Sequence, residues 1–125
     1  MPPKTKTLAV DFDAVISVYK GWIGQGIFGP PVPGAIKHLK KLKKKGWKII
    51  IFTTRGETRD LIEYCQEWEI PYDDINRNSE NPIGTNYGKP MADVYLDDRA
   101  LTFTGNWEES YKKILEFKPY YGEKL

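Results

Sequence analysis

The stretch "LAVDFDAVIS", residues 8–17, carries an apolar run into two carboxylates, Asp11 and Asp13. An ionised carboxylate leaves water at a cost of several kcal/mol unless it is paired or bound to a metal. Two further apolar runs end in polar groups. "ADVYLDD", residues 92–98, ends in Asp97 and Asp98, and "WKIIIFTT", residues 47–54, ends in Thr53 and Thr54. Carboxylates that converge on one spot repel, so their pKa values rise or a cation sits between them. Mg²⁺ is the natural cation, because it takes all-oxygen ligands and neither the one His nor the one Cys of the chain lies near these acids.

A carboxylate can also attack phosphorus and form an aspartyl-phosphate. Phosphoryl transfer then needs positioning and neutralisation of the equatorial oxygens. Thr53 offers a hydroxyl, and Lys89, in "YGKPMADVYLDD", offers an ammonium close to an acid-ended segment. A second carboxylate near the leaving oxygen can protonate it and later activate water. Thr54 is a functional neighbour of Thr53. Arg55 and Arg99 follow the same segments and are suited to substrate phosphate or to surface ion pairs.

The elements that must position these groups are readable from pattern. Leu8–Val10 forms a short buried strand, and the β-branched run 47–54 predicts a strand buried on both faces. Between them, residues 17–34 are rich in Gly, Pro and aromatics, which predicts a loop or small hairpin. A helix begins near Pro33-Gly34, with Ile36, Leu39 and Leu42 at helical spacing and Gly46 as its cap. A second helix spans Glu57 to Glu69, with Leu61, Cys65 and Trp68 on one face, and Pro71 breaks it. Tyr72–Ile75 reads as a short strand, residues 76–90 as an irregular loop and residues 92–98 as a further strand. Glu108–Phe117 makes a final helix with Tyr111, Ile114 and Leu115 as its buried side. Strands alternating with helices predict an α/β fold with a mainly parallel central sheet. In such a sheet ligands bind at the carboxyl ends of the strands, where all three polar endings fall.

The ordered set "DFDAV", "IIIFTT", "GKP" and "YLDD" resembles the four motifs of the haloacid dehalogenase (HAD) superfamily of phosphohydrolases. The resemblance covers roughly residues 7–100 and is closest to small members without a cap domain. It implies a Rossmann-like three-layer sandwich and an Mg²⁺-dependent phosphatase. It makes Asp11 the nucleophile and Asp13 the general acid/base, with the Asp13 main-chain carbonyl also on the metal. Thr53 becomes the phosphate-binding hydroxyl, and Lys89 the charge that holds nucleophile and phosphate. Asp97 becomes the acidic metal ligand beside Asp11, with Asp98 ligating directly or through water. Family members usually carry Gly-Thr after the second Asp, whereas here Ala14-Val15 follows Asp13, a change that tightens the turn without disabling the motif. The gaps between motifs leave no room for a cap. Residues 17–31 become a flap over an open site, with Trp22, Ile27 and Phe28 as contacts for substrate or partner.

Composition sets the outer bounds. The 125 residues suit one domain, spanning 1–125, with 40% hydrophobic residues and a net charge of +2 too weak to demand nucleic acid or membrane. One cysteine permits no internal disulfide, no run is long enough to span a bilayer, and no signal peptide is visible, so the expected compartment is the cytoplasm. The expected partner is a phosphorylated small molecule or polymer end; oligomeric state is unreadable from the sequence, although an open site leaves room for an oligomer in which a neighbouring subunit completes it. "KHLKKLKKKGWK" fits the solvated face of an amphipathic helix better than a nucleic-acid site. An inert module gripping phosphate or a nucleic-acid end on the same fold is the alternative function. A receiver domain uses similar residues in a different order. "GQGIFG" satisfies GxGxxG but opens no helix after a strand, so no dinucleotide site is expected.

Overall fold

The computed structural model describes residues 5–121 apart from 20, 23, 25, 57 and 82–87. Parts of the expected flap, the expected helix start at Glu57 and the middle of the 76–90 loop therefore lie outside the described residues.

Four parallel strands form one sheet: β1 (Thr7–Val10), β2 (Lys48–Ile51), β3 (Asp74–Ile75) and β4 (Val94–Leu96), in the order β3-β2-β1-β4. The helices are α1 (Ala35–Lys44), α2 (Arg59–Glu67) and α3 (Trp107–Glu116). Leu8 pairs with Ile49 and Val94, and Val10 with Ile51 and Leu96. Side chains alternate across a strand, so these six share one face. On it Leu8, Val10, Ile49 and Ile51 form a single core with Phe12, Leu39 of α1 and Leu61, Tyr64 and Cys65 of α2. Both helices thus cover the same face, as right-handed crossovers running β1-β2-β3 require. Each fully buried isoleucine there contributes roughly 1.5–3 kcal/mol relative to exposure.

The opposite face carries Ala9, Ile50 and Tyr95. Asn78, which donates through Nδ2 to the Met91 carbonyl at 3.0 Å, lies on this side of the sheet. Lys48 Nζ, almost wholly buried, anchors this layer by donating to Asn78 Oδ1 at 2.7 Å and by pairing with Asp74 at 3.0 Å. Burial alone would push the Asp74 carboxyl up, but hydrogen bonds from Ser79 and the Lys48 ammonium more than offset it and hold it below its ordinary value. Tyr95 Oη donates to the Pro90 carbonyl. The fold is a Rossmann-like α/β sandwich whose third layer, among the described residues, contains no helix.

Local chemistry sets the helix ends. Gly34, with φ of 88°, starts α1, and Gly46, with φ of 90°, follows its end. Thr58 caps α2 by accepting the Leu61 N–H. Helix α2 stops at Glu67, and Glu69, in the left-handed region, turns the chain away. Trp68 therefore leaves the apolar face it was expected to share; it is 41% exposed and leans on the Tyr64 ring. The larger correction concerns α3. Tyr111, Ile114 and Leu115, expected on a buried side, are 62%, 53% and 68% exposed, and no residue of α3 is buried. Helical periodicity identified an apolar stripe, but no surface among the described residues covers it.

Candidate functional site

The chain runs outward from β1 to β2 and β3 on one side and returns to place β4 on the other. The point where strand order reverses lies between β1 and β4, and crevices form there beyond the strand ends. Asp11 N–H donates to the Leu96 carbonyl at 2.9 Å, extending the β1–β4 ladder and setting Asp11 beside Asp97 and Asp98. One carboxylate oxygen from each of Asp11, Asp97 and Asp98 lies within 4.8 Å of the others. These acids line a cleft of about 710 Å³, together with Asp13, Thr53 and Thr54. Tyr19, Trp22, Phe52 and Asn76 form much of its wall.

Burial, then the Asp98 side chain and the Asp97 charge, push the Asp11 carboxyl up to about 9. The Phe12 N–H, which donates to Asp11 Oδ1 at 2.8 Å, acts in the opposite sense without overcoming them. Asp97 Oδ1 accepts the Arg99 N–H at 2.8 Å. Asp98 Oδ2 accepts the Tyr121 hydroxyl at 3.0 Å, and Arg99 Nη2 donates to the same Tyr121 oxygen. The residues after α3 thus return to the mouth of the cleft, where Tyr120 Oη also donates to the Ala14 carbonyl. That Ala14 sits at φ of 68°, the conformation in which glycine is most at ease.

Thr53 is buried at the end of β2. Its N–H donates to Asn76 Oδ1 at 2.7 Å, and its Oγ1 accepts the Arg55 N–H. Asn76, itself at a φ of 58°, is a positioning group that sequence pattern does not single out; only its proximity to the short third strand hints at it.

Arg55 and Lys89 are placed differently from the other candidates. Arg55 Nε donates to Asp13 Oδ2 at 2.8 Å, with only 3% of the Arg55 side chain exposed. Its guanidinium lies 4.8 Å from the Trp22 ring and 4.7 Å from the Phe28 ring, and Nη2 donates to the Ile27 carbonyl. All three flap residues singled out from sequence therefore meet Arg55. Arg55 ties Asp13 to the flap and does not line the acidic cleft. Lys89 also lies outside the cleft lining. Its ammonium sits over the Tyr95 ring at 4.8 Å, in an adjoining depression that shares Phe52 and Asp97 with the cleft.

Gly24, Gly26 and Gly29 of the GxGxxG match belong to this flap, not to a helix start. A Cβ on Gly29 would run into the Val18 carbonyl oxygen, so the close pairing of the two flap arms requires glycine there. Gly29 O accepts both Ser17 Oγ and Tyr64 Oη. His38 bonds the Gly34 carbonyl, and Cys65 is buried in the core with its thiol pushed by burial up to about 11. Neither approaches the cleft lining.

No protein-family model matches the chain, and no curated protein matches it. Among solved structures it is similar to a conserved protein from Bacteroides thetaiotaomicron. That match has 26% identity, a TM-score of 0.65, and covers 95% of this chain and 97% of the other. A protein from Vibrio cholerae matches at 20% identity and a TM-score of 0.52, covering 90% of this chain and 98% of that one. The first places the chain in an α/β fold class over nearly its full length; the second speaks to fold alone.

Proposed function

We propose that the cleft is the active site of an Mg²⁺-dependent phosphohydrolase that cleaves phosphate monoesters through an aspartyl-phosphate. The observation that carries this reading is the convergence of Asp11, Asp97 and Asp98 at the switch point of the sheet, with Asp13 and Thr53 in the same cleft. Three oxygen donors and no nitrogen or sulfur donor suit a hard divalent cation. Mg²⁺ held by Asp11, Asp97 and Asp98, with the Asp13 carbonyl implied by the HAD resemblance, would supply positive charge to the phosphate oxygens.

The residues divide the work. An Asp11 oxygen attacks phosphorus, the bond from phosphorus to the ester oxygen breaks, and Asp13 gives that oxygen a proton. Asp13 then takes a proton from water, whose oxygen attacks phosphorus and frees Asp11 and orthophosphate. Arg55 holds the Asp13 side chain at the flap, where its protonated form donates in the first step and its carboxylate accepts in the second. The Thr53 hydroxyl and the Thr54 backbone hold phosphate oxygens, and Lys89 reaches them by leaving the Tyr95 ring. The open cleft suits a phosphorylated small molecule or a polymer end.

The test is phosphate release from a panel of phosphorylated metabolites, nucleotides and 3′- or 5′-phosphorylated oligonucleotides, with Mg²⁺ and with chelator. Asp11→Asn is expected to lower turnover at least about a thousandfold while the far-ultraviolet spectrum is kept. Undiminished turnover in that variant removes Asp11 as nucleophile.

The exposed Lys37, Lys40, Lys41 and Lys44 on α1 favour one second reading, an inert module that grips a nucleic-acid end. Binding of oligonucleotides that weakens steeply with salt, with no phosphate release from any substrate, would decide for it.

A further inference from the structure

Among the described residues, no strand or helix packs against α3. Nine of its ten residues are exposed and Ser110 alone is partly covered. Ten-residue helices are marginal in water even with the best formers, because nucleation is costly. The Asn106 cap and the Glu109–Lys113 pair add about 1–1.5 kcal/mol between them, which does not close that gap. Yet α3 carries an amphipathic stripe of Trp107, Tyr111, Ile114 and Leu115, the kind of face that is stabilised by packing.

The sheet has the matching defect. Strand β4 pairs in parallel with β1, and parallel strands are normally covered on both faces. Val94 and Leu96 share the face that α1 and α2 cover farther along, but they are 45% and 53% exposed. Leu101 and Phe103, in the connection to α3, are exposed as well. The chain thus holds an apolar helix without a sheet and an apolar strand face without a helix. Tyr120 and Tyr121 bond back to Ala14 and Asp98, so residues 99–119 form an arm tethered at both ends.

We infer that the arm docks on a second copy of this chain, with α3 of each copy laid over β4 and the 101–103 connection of the other. A reciprocal exchange of this kind gives a closed two-fold pair. Covering the eight side chains named above would remove on the order of 1,000 Å² per chain, and twice that per pair, which exceeds the roughly 1,600 Å² of a standard interface. Three of the eight are aromatic, the composition found at the centres of such contacts.

The experiment is light scattering coupled to size exclusion, with the full chain at tens of micromolar. The expected mass is twice 14.4 kDa. Ile114→Asp on the helix and Leu96→Asp on the strand are each expected to halve it while the circular dichroism of the sheet is kept. A wild-type chain of single mass overturns the proposal, whether α3 folds onto its own sheet or awaits a foreign partner. A double mass that survives both substitutions overturns it too. Because the wild-type mass is read first, a variant that fails to fold cannot hide a wild-type chain of single mass. Phosphate release plays no part in this test.

Discussion

At the residue scale the site is dominated by Asp11, half-buried beside Asp97 and Asp98. An unfolded Asp11 ionises near 3.8, whereas the folded group keeps its proton up to about 9 because of burial and the two neighbouring acids. Between those values the unfolded chain binds fewer protons, so the stability of the metal-free protein falls as pH rises. Thermal melts in chelator are expected to show a midpoint that declines across this window in the wild type and stays flatter in Asp11→Asn. Added Mg²⁺ is expected to raise the wild-type midpoint more at about pH 8 than at about pH 5, since the cation replaces protons that are weakly held at the higher pH. Equal pH slopes for wild type and Asp11→Asn would refute this account. The acids were legible in the sequence because a carboxylate at the end of an apolar strand has no packing reason to be there. Asn76 and Tyr121 were not legible, since polar residues in loops are ordinary until something polar is set against them.

At the scale of elements, the flap and α3 show opposite outcomes of local pattern. The flap arms approach so closely that Gly29 faces the Val18 carbonyl, and Phe28 packs edge-on against Phe12 of the core. Gly29→Ala is expected to destabilise the protein by about 2 kcal/mol or more, because backbone lies where the methyl would go. Urea denaturation should show this as a lower midpoint with an unchanged slope; an unchanged midpoint would mean the arms part freely. Element identity was readable for every strand and helix, from β-branched runs, Gly and Pro punctuation and helical spacing. Extents were less so. The expected strands over 47–54 and 92–98 shorten to Lys48–Ile51 and Val94–Leu96, because pairing stops where the chain must present Thr53 and Asp97 to the cleft.

Over the whole molecule, stability is unevenly distributed. Strands β1 and β2 are buried along their entire length, while the arm of residues 99–119 is almost wholly exposed. Native-state hydrogen exchange is therefore expected to find the slowest amides in β1 and β2 at any protein concentration. Protection of α3 is expected to rise with concentration, as association by mass action orders the arm. Concentration-independent protection of α3 would show that it packs within its own chain. No described helix is long and apolar enough to cross a membrane. Among the described residues, β4, its connection to α3 and α3 itself together expose Val94, Leu96, Leu101, Phe103, Trp107, Tyr111, Ile114 and Leu115.

The sequence by itself determined the element order, the parallel α/β class and the placement of acids at strand ends, because these follow from burial periodicity and from the cost of stranding charge. Only the tertiary structure decided which of the chemical groups meet. It gathered Asp11, Asp97 and Asp98, gave Arg55 to Asp13 and the flap, and set Lys89 on Tyr95. It also left the stripe of α3 uncovered. An amphipathic pattern states that a face must leave water, but the identity of the surface that covers it depends on where the rest of the chain, or a second chain, comes to lie.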